Sequence, residues 1–354
     1  MSSTASNQRV ITYAEAIREA TYQEMGRDEG VFVLGQGVDD TTGMFGSTKD
    51  LHQDFGRQRN MDTPLSEDAM VGVAIGAALA GMRPINVHQR MDFVLLCMNQ
   101  LINIAAKSSY MFGGAVKVPI VVRAIVGRSW GQGAQHSQAL HSFFMHIPGL
   151  KVVAPTTPHD AKGCMIAAIR DDNPVIMVEH RMLFGLTGIV PEEPYEVPFG
   201  QARVLGEGDD VTIVAIAHMV VEALRAHTHL AEVGISAEVV DPVILCPLDL
   251  DRILASVQKT RRLLVVDNGW TMCGASAEII ACVVERLQDL GKIRMARMGF
   301  APVPCPTTKP LENLFYPDAG SIASKAHSLV RGGEESWTPE VTESREVVEF
   351  KGPF

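Results

Sequence analysis

Apolar residues fall along the chain in short continuous runs separated by longer, helically spaced stretches. The runs Val31–Leu34, Pro84–Val87, Val118–Ile125, Lys151–Ala154 and Pro174–Glu179 are rich in Val and Ile and predict strands. Between them the spacing predicts helices over Tyr13–Arg27, Phe93–Met111 and Pro158–Arg170, with another near Ser137–His146. Thr157 ahead of Pro158 supplies a capping hydroxyl followed by proline at the first helical position. A further helix, Met70–Gly81, consists of small apolar residues with no polar face, which predicts burial on all sides. Nearly continuous apolar strands alternating with helices predict an α/β fold whose parallel sheet is covered on both faces.

Between Leu186 and Pro198 the pattern gives way to Gly, Pro and Glu, as in a linker. Alternation then resumes with strands at Val211–Ala217, Ala237–Val243, Arg262–Asp267 and Ile293–Met298. The helices between them run to about Val233, over Leu248–Ser256 and over Ala275–Leu287. The expected organisation is two parallel-sheet domains, 1–190 and a smaller 206–330, joined by a linker at 191–205. The acidic tail 331–354 lacks apolar periodicity and is expected to be extended, ordering only against a partner.

The 354 residues, 46% hydrophobic and 20% charged, suffice for two globular cores. A net charge of −10 argues against nucleic acid or an anionic membrane surface as partner. No apolar run reaches the roughly 18 residues of a membrane span, and the N-terminus lacks the pattern of a signal peptide. The expected location is the cytoplasm. Six scattered cysteines without a CxxC pair are expected as free thiols, with no structural zinc.

Three stretches could carry chemistry. In DTPLSEDAMVGVAIGAALAG, Glu67 opens the small-residue helix. A helix-start acid is favoured by the dipole by about 0.3–1 kcal/mol, which would explain it without any function. In Arg90-Met-Asp-Phe93, Phe93 is most simply a core aromatic. The glycine-rich loop from Gly127 to His136 follows a predicted parallel strand, where open α/β sheets bind ligands, although a lone loop histidine is commonly just solvated.

Order and spacing add to this. DTPLSE, GVAIGAALAGMRPI, NQLINIAAK, AQHSQ, HIPGLKVVAPTTPHDAKG and AAIRDDNPV, with DNGWTMCGASAEI and APVPCP further on, fall in one sequence. Over roughly residues 10–330 the chain resembles the beta subunit of the thiamine-diphosphate-dependent component of 2-oxo acid dehydrogenase complexes, a family related to transketolase. The resemblance implies a thiamine-pyrimidine-binding domain and a transketolase C-terminal-like domain. It implies that Glu67 contacts a pyrimidine nitrogen and shares a proton there, in a site dried by the surrounding Gly and Ala. It further implies that Phe93 stacks on the pyrimidine and that His136 binds or protonates the substrate-derived group. Ile120, Ala168, Ile169, Asp171 and Asn173 match positions that bind potassium in some members.

The family holds the diphosphate and magnesium with a GDG motif and a downstream asparagine. Here the nearest string is GEGDD at 206–210, without that asparagine. The resemblance therefore implies half an active site, completed by an alpha-type subunit in an α2β2 assembly acting on a small 2-oxo acid, with a lipoyl acyltransferase as acceptor. The chain departs from the family at His88-Gln89-Arg90 and at Arg128. These residues could bind an anionic substrate group, or either arginine could pair with Asp92 or another acid. Two rivals follow: a two-chain carboligase or transketolase-like enzyme that joins a two-carbon unit to an aldehyde, and a non-catalytic assembly subunit.

Overall fold

The first helix is set by its cap. After β1 (Val10–Thr12), α1 (Tyr13–Arg27) opens on a capping box: Thr12 Oγ1 accepts from the Glu15 amide at 3.2 Å, and the Glu15 carboxylate accepts from the Thr12 amide at 2.8 Å. The structure, a computed structural model, describes residues 9–128, 131–333 and 336–340. The chain continues through β2 (Val31–Gly35), α2 (Leu51–Phe55), β3 (Asn60–Asp62), α3 (Glu67–Leu79) and β4 (Arg83–His88). Then come α4 (Met91–Val94) and, beyond an irregular stretch, α5 (Ala106–Met111). After them follow β5 (Val121–Val126), α6 (His141–Met145), β6 (Lys151–Val153), α7 (Pro158–Arg170), β7 (Val175–His180) and β8 (Thr187–Ile189).

The second half comprises β9 (Arg203–Gly206), β10 (Val211–Ala215), α8 (Met219–Glu232), β11 (Ala237–Asp241), β12 (Ile244–Cys246) and α9 (Leu250–Thr260). It ends with β13 (Arg262–Trp270), α10 (Ala275–Arg286), β14 (Arg294–Phe300), α11 (Lys309–Phe315) and α12 (Ala319–Arg331). A seven-stranded sheet has the order β12-β6-β7-β5-β4-β2-β3, and a five-stranded sheet the order β14-β13-β10-β11-β9. Both are parallel except at one edge, where β12 runs antiparallel to β6 and β9 antiparallel to β11. β12 thus belongs by sequence to the second half and by pairing to the first sheet.

Residues alternate sides along each strand, so the seven-stranded sheet has two distinct cores. Val31, Val33, Ile85, Val121 and Val175 pack with Ile17 of α1 and Ile166 of α7. Phe32, Leu34, Val122 and Ile176 pack with Val71 and Ile75 of α3 and with Leu101.

Four expectations need correction. α3 is not buried on all sides: Val71, Ala74, Ile75 and Ala78 are buried, but Val73 and Leu79 are exposed, and a Cβ built on Gly72 or Gly76 meets nothing within 4 Å. The single helix expected over Phe93–Met111 is broken by a 3-10 turn at Leu95–Cys97 and a π turn at Gln100–Ala105. The linker-like stretch from Leu186 to Pro198 contains a strand, β8, which pairs antiparallel with β1. The tail does not wait for a partner throughout: the Trp337 ring lies 5.1 Å from that of His327 on α12. Residues 341–354 of that tail lie outside the described residues. Among the described residues no helix is long and apolar enough to cross a membrane.

Candidate active site

Five parallel strands end along one edge of the larger sheet: β2 at Gly35, β3 at Asp62, β4 at His88, β5 at Val126 and β7 at His180. The turns leaving these ends surround a cleft of about 790 Å³, with Gln36, Glu67, Arg90, Phe93, His136 and Arg181 among its walls. This is the edge at which parallel sheets present ligand sites, because the loops there diverge from a rigid base.

Glu67 is the first residue of α3 and faces this cleft half-buried. The drying expected from its Gly and Ala neighbours is not supplied by the chain alone, since the outer side of α3 is bare. Phe93, on α4, meets His136 edge to face, with ring centroids 5.3 Å apart and planes at 81°. The loop carrying His136 is fastened to α4: the amide and Nε2 of Gln138 donate to Asp92 Oδ1 at 3.2 and 2.9 Å. Burial pushes the Asp92 carboxyl up, against the pull of the Gln138 bonds and of Arg90. Ser129 and Trp130 of the same loop lie outside the described residues.

Arg90 is 4% exposed, and its Nη1 has no hydrogen-bond partner among the described residues. The expected alternative of an Arg90–Asp92 ion pair is not formed; the Asp92 carboxylate goes to Gln138. Burial lowers the Arg90 guanidinium to about 10, so it is still a cation at neutral pH. His88 is buried, its Nε2 has no partner among the described residues, and burial lowers it to about 4, so it is neutral. Arg181, which sequence reasoning missed, lies 4.0 Å from the ring centroid of Phe45 and is lowered to about 9 by burial and then by Arg90. Its position directly after the end of β7 was the available signal.

Arg128 is not brought to the cleft. It sits 4.9 Å from the Tyr316 ring centroid and donates from Nη1 to Asn313 Oδ1 at 3.4 Å. Beside it Gly127 has φ +97°, and a Cβ there would lie 2.5 Å from His180 Nε2, so only glycine fits. His180 stacks on His218, with centroids 4.8 Å apart. The buried His141 reaches Asp267 Oδ1 at 3.0 Å. Burial would lower His141, but the Asp267 charge outweighs it and raises the imidazole. These contacts, invisible to sequence periodicity, tie the two sheets together.

The five residues matched to a potassium site lie at the far end of the larger sheet. The carbonyls of Ile169 and Asp171 accept from Arg83 Nη1 at 3.0 and 2.9 Å, and that of Ile120 from the Val175 amide at 3.0 Å. The Asp171 carboxylate is bonded by Lys151 and by the Asn173 amide, and Ala168 is a buried core residue of α7. Two protein cations already use these oxygens, and a third positive charge fits poorly. The GEGDD string forms the turn from β9 to β10, where Asp210 Oδ2 accepts from the Ser236 amide at 2.9 Å and Asp209 lies 3.6 Å from Lys259.

Residues 9–186 match the transketolase pyrimidine-binding domain and residues 200–322 the transketolase C-terminal domain. The chain is 45% identical to the beta subunit of acetoin:2,6-dichlorophenolindophenol oxidoreductase of Cupriavidus necator, over 92% of this chain and 99% of that one. It is 42% identical to the pyruvate dehydrogenase E1 component subunit beta of Rickettsia felis, over 88% of this chain and 96% of that one. A split-gene transketolase, solved as an inactive beta4 tetramer, shares the fold with TM-score 0.75 at 21% identity, covering 91% of this chain and 99% of its own. The chain therefore belongs to the transketolase-like family of thiamine-dependent enzymes, among the beta subunits of the pyruvate and acetoin dehydrogenases.

Proposed function

We propose that the cleft is the pyrimidine half of a thiamine diphosphate site and that the chain is the beta-type subunit of a 2-oxo acid dehydrogenase. The observation that carries this reading is the meeting of Glu67, Phe93 and His136 in one cleft, from three separate strand ends. Asn86 Oδ1 and His88 Nε2 on its walls, buried and without a partner among the described residues, fit a polar heterocycle that completes them. Bound there, thiamine diphosphate supplies an acidic thiazolium carbon able to hold the electron pair left by decarboxylation. Glu67 holds and returns a proton at the pyrimidine nitrogen, and Phe93 offers the ring face that orients it. His136, steadied against Phe93 by the Gln138–Asp92 bonds, holds or donates a proton at the substrate oxygen.

In the GEGDD turn Asp210 is engaged by the Ser236 amide and Asp209 by Lys259, which supports assigning the diphosphate and magnesium to an alpha-type partner. The bare outer side of α3 supports the same assignment and an α2β2 assembly, since exposed apolar patches mark contact surfaces. The partner would also supply the burial that Glu67 lacks. Potassium has no part in this reading, given Arg83 and Lys151. A lipoyl group is the expected acceptor of the acyl unit. A carboligase is the second reading, kept because Arg90 and Arg181 suit a charged substrate.

Co-purification with the alpha-type partner, followed by a screen of 2-oxo acids with an artificial electron acceptor, tests the proposal. Turnover that requires both chains, thiamine diphosphate and magnesium is expected. A complex that binds the cofactor yet oxidises no 2-oxo acid would favour the carboligase. Full turnover by this chain alone would overturn the half-site.

A further inference from the structure

The cleft contains more positive charge than the roles of Glu67, Phe93 and His136 require. Arg90 and Arg181 both line it, each buried to within 4% exposure, and Arg90 is close enough to depress Arg181 electrostatically. Among the described residues no carboxylate forms an ion pair with Arg90, and the adjacent Asp92 is bonded to Gln138. On the same wall the buried Nε2 of His88 also lacks a partner. A buried cation with an unmade hydrogen bond is unfavourable unless something completes it, and a planar guanidinium is completed best by a two-oxygen anion.

Resting on the reading of this cleft as a 2-oxo acid site, we propose that Arg90, assisted by His88 and Arg181, binds a second anionic group of the substrate. The substrate class is then a dianion: beyond the carboxylate lost in decarboxylation it carries another carboxylate or a phosphate. Arg90 supplies the two-pronged contact. His88, neutral, donates a hydrogen bond through Nε2. Arg181 adds charge without needing direct contact. The chain's departure from its family at His88-Gln89-Arg90 is thereby a specificity device, and Arg128, held on Tyr316, is not part of it.

The test is calorimetric titration of the complex with its alpha-type partner, using the non-reacting acids succinate, phosphonopropanoate and butanoate. No turnover is needed, so the outcome is separate from that of the decarboxylase reading, which thiamine diphosphate binding to the same sample tests independently. At least one dianion should bind about tenfold or more tightly than butanoate, the factor expected of one charge-assisted hydrogen bond. The tighter of the two names the group. Arg90→Gln should bring the ratio to near one, and Arg90→Lys should restore part of it. Equal binding of all three acids by the wild-type complex overturns the proposal, as does an unchanged ratio in Arg90→Gln. Failure of both variants to assemble would assign Arg90 to the subunit contact and overturn it as well.

Discussion

The two faces of the seven-stranded sheet are closed in different ways. Under α1 and α7 nearly every charge is answered within the chain. Glu24 accepts from Arg170 Nη2 at 2.6 Å and from Arg27 Nε at 2.7 Å, Lys162 reaches Glu19 at 2.5 Å, and Arg123 forks onto Glu179 at 2.5 and 2.8 Å. On the opposite face, α3 and the broken helix after α4 leave Val73, Leu96, Tyr110 and Met111 exposed. Among the described residues, the cleft at the end of the sheet leaves Arg90 Nη1 and His88 Nε2 without a partner. The first face is finished by folding. The second is left open by this chain, and the carboxylate proposed to start the chemistry sits on it.

The comparison can be broken most sharply at Glu67. Glu67→Gln should leave folding and assembly near normal, while activity falls by more than the about 10²–10⁴-fold typical of one acid–base group, since later steps depend on this one. Hydrogen–deuterium exchange at the thiazolium carbon of the assembled complex reads the effect directly. Exchange at the wild-type rate would reduce Glu67 to a helix-start acid. On the finished face, Glu179→Ala should cost about 3–5 kcal/mol, because it strands the fully buried Arg123, and chemical denaturation measures it.

His88 gives an intermediate effect with a definite pH window. Its folded value is depressed to about 4, so the unfolded chain takes up a proton from about pH 6.5 downward that the folded chain refuses. Stability should therefore be intact above that window and fall by up to about 3 kcal/mol as the pH drops through it. His88→Gln should flatten this part of the profile; an identical slope would show that His88 is protonated in place. The smallest effect is expected at Phe93, where Phe93→Ala should weaken thiamine diphosphate binding by about 0.5–1.5 kcal/mol beyond lost burial. Unchanged affinity would return Phe93 to the core.

The two faces also differ in how far the sequence revealed them. α1 and α7 could be read to the residue: Thr157 with Pro158 marks the start of α7 by local chemistry, and the structure shows a Thr12–Glu15 capping box doing the same for α1. The short strands β1, β8, β9 and β12 could not, since each has at most four residues and gains its identity from distant pairing. Which chain covers the exposed side of α3 was not legible for a related reason: an apolar helix looks the same whether its cover is its own chain or another. Glu67, Phe93 and His136 became legible through motif order, not periodicity. Arg181 lay outside any motif, and only the fold brings it to the cleft; Asp92 and Gln138 fall within quoted stretches, but their pairing with each other appears only in the fold.

Whether that open face is half of a shared site is best decided by titrating thiamine diphosphate with magnesium into this chain, into its alpha-type partner and into an equimolar mixture. Binding should be tight and saturable in the mixture and weak or absent in either chain alone, with catalysis of 2-oxo acid oxidation only in the mixture. Tight binding and turnover by this chain alone would contradict the account.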